Sequence, residues 1–264
     1  MATFTTTDGV ELHHTDDGDG PVAVLIAGFC APAASWEFQR RALLAEGHRV
    51  IGFDRRYHGE SAKPSFGQRL ARHGKDLREL LEHLDLRDVA LVGSSMGGST
   101  IWAYCDLYGT DRLRSIVTID QTPKMINDDT WPYGFYGLTR ENAGTFFDKG
   151  IPDTGRGKAD RLAGFAKLIE LLGEDPPFAD PGDPPMRALL QDHATQDWRD
   201  VVARISVPAL FLTARDSQLW PCEHAFAMAE TNPLVSVTIL EDCGHALHLD
   251  QVDAASAALL GFLT

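Results

Sequence analysis

Val89-Ala90-Leu91-Val92-Gly93-Ser94-Ser95-Met96-Gly97-Gly98 is a short apolar run that stops at a Gly-x-Ser-x-Gly pattern, after which an alanine- and aromatic-containing helical pattern begins. The order predicts a strand, a sharp turn carrying Ser95, and a helix. Glycines two residues before and after Ser95 meet the steric demand of such a turn, where the backbone doubles back too closely to leave room for a Cβ. Ser95 then projects its hydroxyl at the carboxyl edge of a sheet, beside the positive end of the following helix, as a candidate nucleophile. The competing reading is a chance match in an ordinary strand-to-helix loop. The flanking sequence decides between the two.

Working outward, strands and helices alternate. Residues 3 to 15 read as two strands turning at Asp8-Gly9, and Val22 to Ile26 is a continuous apolar run ending in Gly28-Phe29-Cys30. A helical pattern with Trp36, Phe38, Leu43 and Leu44 precedes the run His48 to Asp54, and helical spacing from about Phe66 to Leu86 leads into the Ser95 strand. The helix after Ser95 gives way to Leu113 to Asp120, another strand. Repeated βα units with continuously apolar strands predict an α/β fold, a mainly parallel sheet covered by helices on both faces. The rhythm breaks over 121–204, where helices are expected near 140–149, 158–173, 185–191 and 195–203. We read that stretch as a helical cap over the carboxyl edge, with Trp131, Tyr133, Phe135, Tyr136 and Trp198 as candidate pocket residues. The competing role for each aromatic is to pack the insertion together. Strands at Pro208 to Ala214 and Val235 to Leu240, a helix around 223–230 and a last helix from about Val252 to Phe262 complete a core of residues 1–120 and 205–264, in a single structural domain.

The chain of 264 residues is 44% hydrophobic, enough for a large core in one domain. Its 38 acidic against 24 basic residues give a net charge of -14, which argues against nucleic acid or an anionic membrane as a partner. The N-terminal sequence has no basic and apolar signal pattern, and no run approaches the roughly 18 apolar residues of a membrane span, so a cytoplasmic protein is expected. Cys30, Cys105, Cys222 and Cys243 form no CxxC pair, so free thiols, no metal site and no cofactor are expected.

A serine needs a neighbouring base to become a nucleophile. His245, in Cys243-Gly244-His245 after the last strand, arrives at the edge reached by Ser95; His248 is its rival, close to the start of the final helix. A carboxylate must hold the histidine, and both Asp120 and Asp216 end strands at that edge. The N–H groups of Phe29 and Met96 are positioned to face an oxyanion.

These features together resemble the α/β-hydrolase superfamily over nearly the whole chain, especially the small bacterial esterases and the cofactor-free haloperoxidases or perhydrolases. The carrying residues are Gly28-Phe29, the turn Asp54 to Ser61, the elbow Gly93 to Gly98, and Gly244-His245. The resemblance implies Ser95 as nucleophile, His245 as base, Phe29 and Met96 as oxyanion donors and a structural role for the Asp54 to Ser61 turn. It departs from the family at Ala27, where many members have histidine. It departs again at the acid: the usual place after the penultimate strand falls on Ser217, and Asp216 lies one residue short, which can turn a side chain to the opposite face. A subset of the superfamily carries its acid where Asp120 stands. We assign the acid to Asp120 ahead of Asp216.

The expected activity is hydrolysis of a carboxylic ester, thioester or lactone of an apolar or aromatic small molecule. Two alternatives share the fold. Gly28-Phe29-Cys30 is similar to the Gly-Trp-Cys loop of the cofactor-independent ring-cleaving dioxygenases, which would use His245 and Asp120 on a hydroxyquinolone-type ring, although Met96 is the esterase-like residue. A ligand receptor that keeps the triad is the other.

Overall fold

The computed structural model describes residues 2–157 and 162–263. Among the described residues, eight strands form one sheet in the order β1-β2-β4-β3-β5-β6-β7-β8. They are β1 (Ala2–Thr5), β2 (Glu11–Asp17), β3 (Val22–Ile26), β4 (Arg49–Phe53), β5 (Val89–Ser94), β6 (Leu113–Ile119), β7 (Ala209–Ala214) and β8 (Val235–Leu240). β1 and β2 form an antiparallel hairpin at one side, β2 pairs antiparallel with β4, and the other pairings are parallel. A parallel central sheet must be covered on both faces, and the side chains show how. Along β3, Val24 and Ile26 enter one core while Ala23 and Leu25 enter the other; along β5, Leu91 and Ala90 divide in the same way. Period-two alternation is therefore present but invisible in the sequence, because both faces are apolar.

One face carries α2 (Leu70–His83) and α3 (Met96–Tyr108), with Leu77, Leu80, Leu81, Ile101 and Trp102 fully buried. The other carries α1 (Glu37–Ala45), which follows a 3-10 turn at Ala33–Trp36, and α9 (Val252–Leu263), with Leu43, Ala255 and Leu259 buried. Replacing one such leucine by alanine costs about 2–5 kcal/mol.

Between β6 and β7 lie α4 (Leu162–Leu172), α5 (Pro184–Ala194) and α6 (Arg199–Arg204); after β7 come α7 (Glu223–Ala229) and α8 (Leu247–Asp250). The helix expected near 140–149 is instead a series of turns. There the Asn142 side chain accepts the Thr139 N–H at 2.8 Å and donates to the Gly137 carbonyl at 2.8 Å, competing with helical backbone bonds. Residues 158–161 of the helix expected over 158–173 lie outside the described residues. α2 begins at Leu70 rather than near Phe66: Gly67 has φ 77, Arg69 is extended, and Asp192 of α5 accepts the Leu70 N–H at 2.8 Å, satisfying a first-turn donor. The helix expected over 195–203 is the shorter α6.

Candidate active site

β5 delivers the chain to Ser95, whose φ of 50° and ψ of -127° are a strained conformation for a residue with a Cβ. The ladder holds it there: the Ser95 N–H bonds the Ile119 carbonyl at 2.8 Å, and the Gly98 N–H bonds the Ser95 carbonyl at 2.8 Å. The two elbow glycines are sterically required. A Cβ on Gly93 would lie 2.5 Å from the Gly97 carbonyl carbon, one on Gly97 would overlap the Ile26 carbonyl oxygen, and one on Gly28 would come 3.1 Å from the Ser95 Cβ. Gly93 and Gly97 thus leave no room for alanine, and Gly28 would leave it only a tight fit against Ser95.

The neighbouring strand β6 ends at Asp120, also at positive φ (42°), with its N–H bonded to the Leu212 carbonyl at 2.8 Å. Its buried carboxylate accepts four hydrogen bonds. Oδ1 takes the Thr213 hydroxyl at 2.9 Å and the Ala214 N–H at 3.1 Å; Oδ2 takes the Ser217 hydroxyl at 2.7 Å and His245 Nδ1 at 2.6 Å. Burial pushes the Asp120 carboxyl up, but the bonds and charge from His245, with those from Ser217 and Ala214, outweigh it and hold the group below the usual carboxylate range. An ionised Asp120 assigns the proton of neutral His245 to Nδ1 and leaves Nε2 as the basic nitrogen. The ring is flanked by Trp220, edge-on at 5.2 Å between centroids, and the backbone N–H of His245 bonds Gln218 Oε1 at 2.9 Å. Asp216 is half-buried and its N–H bonds the Cys243 carbonyl at 3.2 Å. Ser217, at the place where the acid of many relatives would stand, instead donates to Asp120. Thr213, Ser217 and Gln218 were not predicted as site residues; only Ser217 carried a sequence signal, its position after β7.

Opposite Ser95, the Gly28 carbonyl accepts the Arg55 guanidinium at 2.7 Å. Across a trans peptide the carbonyl and the next N–H point in opposite directions, so this bond turns the Phe29 N–H away from Arg55. Arg55 is fully buried, and its other bonds reach His58 Nε2 at 2.9 Å and His73 Nδ1 at 3.2 Å. Both imidazoles serve as neutral acceptors, since burial and the Arg55 charge hold them well below the ordinary histidine range; burial lowers Arg55 itself to about 9. Met96 occupies the first position of α3, directly after Ser95.

Two cavities meet at Ser95. The larger, about 420 Å³, is lined by Ser95, His245, His248, Phe165, Phe178 and Leu249 among others. The smaller, about 20 Å³, is lined by Ser95, Met96, Phe135, His193 and Trp220 among others. Phe29, Ile151 and Leu219 border both. Of the five aromatics expected to line a pocket, Phe135 borders the smaller cavity, and the other four stand elsewhere among the described residues. Trp131 and Trp198 are buried in the main core, Trp131 with its Nε1–H on the Lys124 carbonyl at 2.9 Å. Tyr133 packs edge-on against Trp131, and Tyr136 borders a separate surface pocket under Arg156. Phe165 and Phe178, nearer the end of the insertion, take the place assigned to them. His248, the rival base, is buried against Trp36 at 4.8 Å between centroids and lowered by burial to about 3.

The alpha/beta hydrolase fold model matches residues 21–252. The chain belongs to this family. Within the alpha/beta hydrolases it is 42% identical to the non-heme chloroperoxidase CPO-A1 of Kitasatospora aureofaciens over 135 residues, 51% of this chain and 49% of that relative. That match therefore spans about half the length of each. The fold likeness extends throughout: a bromoperoxidase from Bacillus anthracis superposes with a TM-score of 0.82 at 28% identity, covering 99% of both chains. A thermophilic esterase from Thermogutta terrifontis gives a TM-score of 0.77 at 26% identity, covering 99% of this chain and 96% of its own. No helix among the described residues of this alpha/beta hydrolase is long and apolar enough to cross a membrane.

Proposed function

We propose that the protein is a serine hydrolase that cleaves a carboxylic ester, thioester or lactone of an apolar or aromatic small molecule through an acyl-enzyme on Ser95. The observation that carries this reading is the pairing of buried Asp120 with partly buried His245 at 2.6 Å, with His245 and Ser95 lining one apolar cavity. Ser95 Oγ attacks the carbonyl carbon while His245 Nε2 takes its proton, and the carbonyl electron pair moves onto oxygen. The N–H groups of Phe29 and Met96 meet that oxyanion; removing one such donor elsewhere costs roughly 10²–10³ in rate. Asp120 stays ionised and stabilises the imidazolium. The oxyanion collapses, the bond to the leaving oxygen or sulfur breaks, and His245 returns its proton to the departing alcohol or thiol. Water, deprotonated by His245, attacks the acyl-enzyme in the same way and releases the acid and free Ser95. The 420 Å³ cavity bordered by Phe165, Phe178 and Leu249 supports an apolar group on one side of the ester. The esterase and haloperoxidase names of the relatives agree with acyl chemistry at this site.

Steady-state hydrolysis of aryl esters of graded length, with dissolved O₂ recorded in parallel, tests the reading. Ester cleavage that disappears in Ser95→Ala is expected. Oxygen consumption with a hydroxyquinolone, surviving that substitution, would overturn it, as would stoichiometric ligand binding without turnover.

A further inference from the structure

Among the described residues, the larger cavity is bordered by one buried ring nitrogen without a partner, His248 Nδ1; the smaller is bordered by two such nitrogens. Around Ser95 and Met96 it is walled by apolar groups including Met125, Phe147 and Leu190, yet His193 near the end of α5 also borders it. His193 is 5% exposed, and its Nδ1 is buried without a hydrogen-bond partner among the described residues. Trp220, 2% exposed, borders the same cavity, and its Nε1 is likewise buried and unpartnered. Buried nitrogens elsewhere in the fold, such as Trp36 Nε1 and Trp102 Nε1, are also unpartnered; what sets these two apart is that both residues border one cavity beside Ser95, where a ligand can complete them. A cavity of about 20 Å³ offers room for roughly one water-sized group, the far end of a very short acyl chain.

Resting on the acyl-enzyme reading above, we propose that this cavity receives the end of the acyl part of the ester, that the acyl chain has about two carbons, and that it bears a 2-hydroxyl group held by His193 and Trp220. A hydroxyl both donates and accepts, which matches an indole N–H and a neutral imidazole. Burial, with the charges of Arg55 and His245, lowers His193 to about 3, so the ring is uncharged at neutral pH and offers no cation to a carboxylate. The larger cavity, with its apolar lining, takes the alcohol part.

Phenyl acetate, propionate, glycolate and butyrate test this with the purified full chain, each kcat/KM divided by the ester's own alkaline hydrolysis rate. Glycolate and propionate differ by a hydroxyl in place of a methyl, and the unaltered protein should prefer glycolate by roughly 10–100-fold, with butyrate poorest. In His193→Leu the glycolate-to-propionate ratio should fall to about one, and in Trp220→Phe it should fall part-way. A ratio near one in the unaltered protein, or one unchanged in His193→Leu, overturns the proposal and leaves the imidazole holding a water. Should His193→Leu not fold, the ratio in the unaltered protein and in Trp220→Phe decides. Hydrolysis that depends on Ser95 without the glycolate preference overturns this proposal alone; a Ser95→Ala protein that cleaves every ester as fast overturns the acyl-enzyme reading with it.

Discussion

Asp120 Oδ2 lies 2.6 Å from His245 Nδ1, and the same oxygen accepts the Ser217 hydroxyl at 2.7 Å. The imidazole of His245 and the hydroxyl of Ser217, the serine after β7, thus share one oxygen of Asp120. An amide at Asp120 would present a donor to Nδ1 and favour the wrong tautomer. Asp120→Asn should leave the fold intact and lower kcat by roughly 10⁴-fold, the size of the effect in the best-studied triad. Asp216→Asn should change kcat by less than about tenfold on the same basis. Parallel kinetics and circular dichroism of the two variants check this; a crippled Asp216→Asn beside a near-normal Asp120→Asn would reverse the assignment.

The contact between Asp120 and His245 is readable from strand ends: both strands are parallel, so both residues emerge at the edge where the Gly-x-Ser-x-Gly turn must sit. The paired cores were readable too, because runs such as Val22 to Ile26 are apolar without interruption. The pocket walls were not. Trp131 and Phe165 are both aromatic and both lie in the insertion, and which one faces Ser95 depends on the path of the backbone through turns such as that at Asn142. His193 carries no local signal at all. Its significance arises from the apolar side chains that distant segments bring around it.

Buried neutral histidines make stability depend on pH. His193 and His248 have folded values of about 3, and His58 and His73 are held well below the ordinary range, all chiefly by burial. Below about pH 6.5 the unfolded chain takes up protons that the folded chain refuses, so stability is full above that value and falls as the pH drops toward 3, by up to about 1.4 kcal/mol per pH unit per histidine. Asp120, whose folded value is depressed, acts in the same direction: its contribution is present above the ordinary carboxylate value and is lost as pH falls through the folded one. Urea midpoints should therefore decline between pH 7 and pH 5, and His248→Phe should flatten the decline. A pH-independent midpoint would contradict this.

The convergence of backbone on Ser95 predicts an asymmetry between glycines. A Cβ on Gly97 meets the Ile26 carbonyl, whereas one on Gly144 meets no atom within 4 Å. Gly97→Ala should cost on the order of 3 kcal/mol, or about 6–12 °C in Tm for a chain of this size. Gly144→Ala should stay within about 0.5 kcal/mol. Thermal unfolding of both variants measures the difference.

Phe178 borders the larger cavity and packs edge-on against Phe165 at 5.4 Å between centroids, while remaining 41% exposed. Such a wall contributes to binding without touching the reacting atoms. Phe178→Ala should raise KM for esters of bulky apolar alcohols roughly 5–30-fold and leave kcat nearly unchanged, the signature of lost uniform binding. A fall in kcat at constant KM would place Phe178 nearer the chemistry than its position indicates.

The central claim is that Ser95 is acylated, and a fluorophosphonate reads that step directly because it traps the activated serine covalently. After exposure to the reagent, intact-mass and peptide mass spectrometry should find one adduct per chain, on the peptide carrying Ser95, with ester hydrolysis lost in proportion to labelling. Ser95→Ala should take up no label and hydrolyse no ester. Labelling at another residue, or undiminished hydrolysis by the Ser95→Ala protein, would contradict the account.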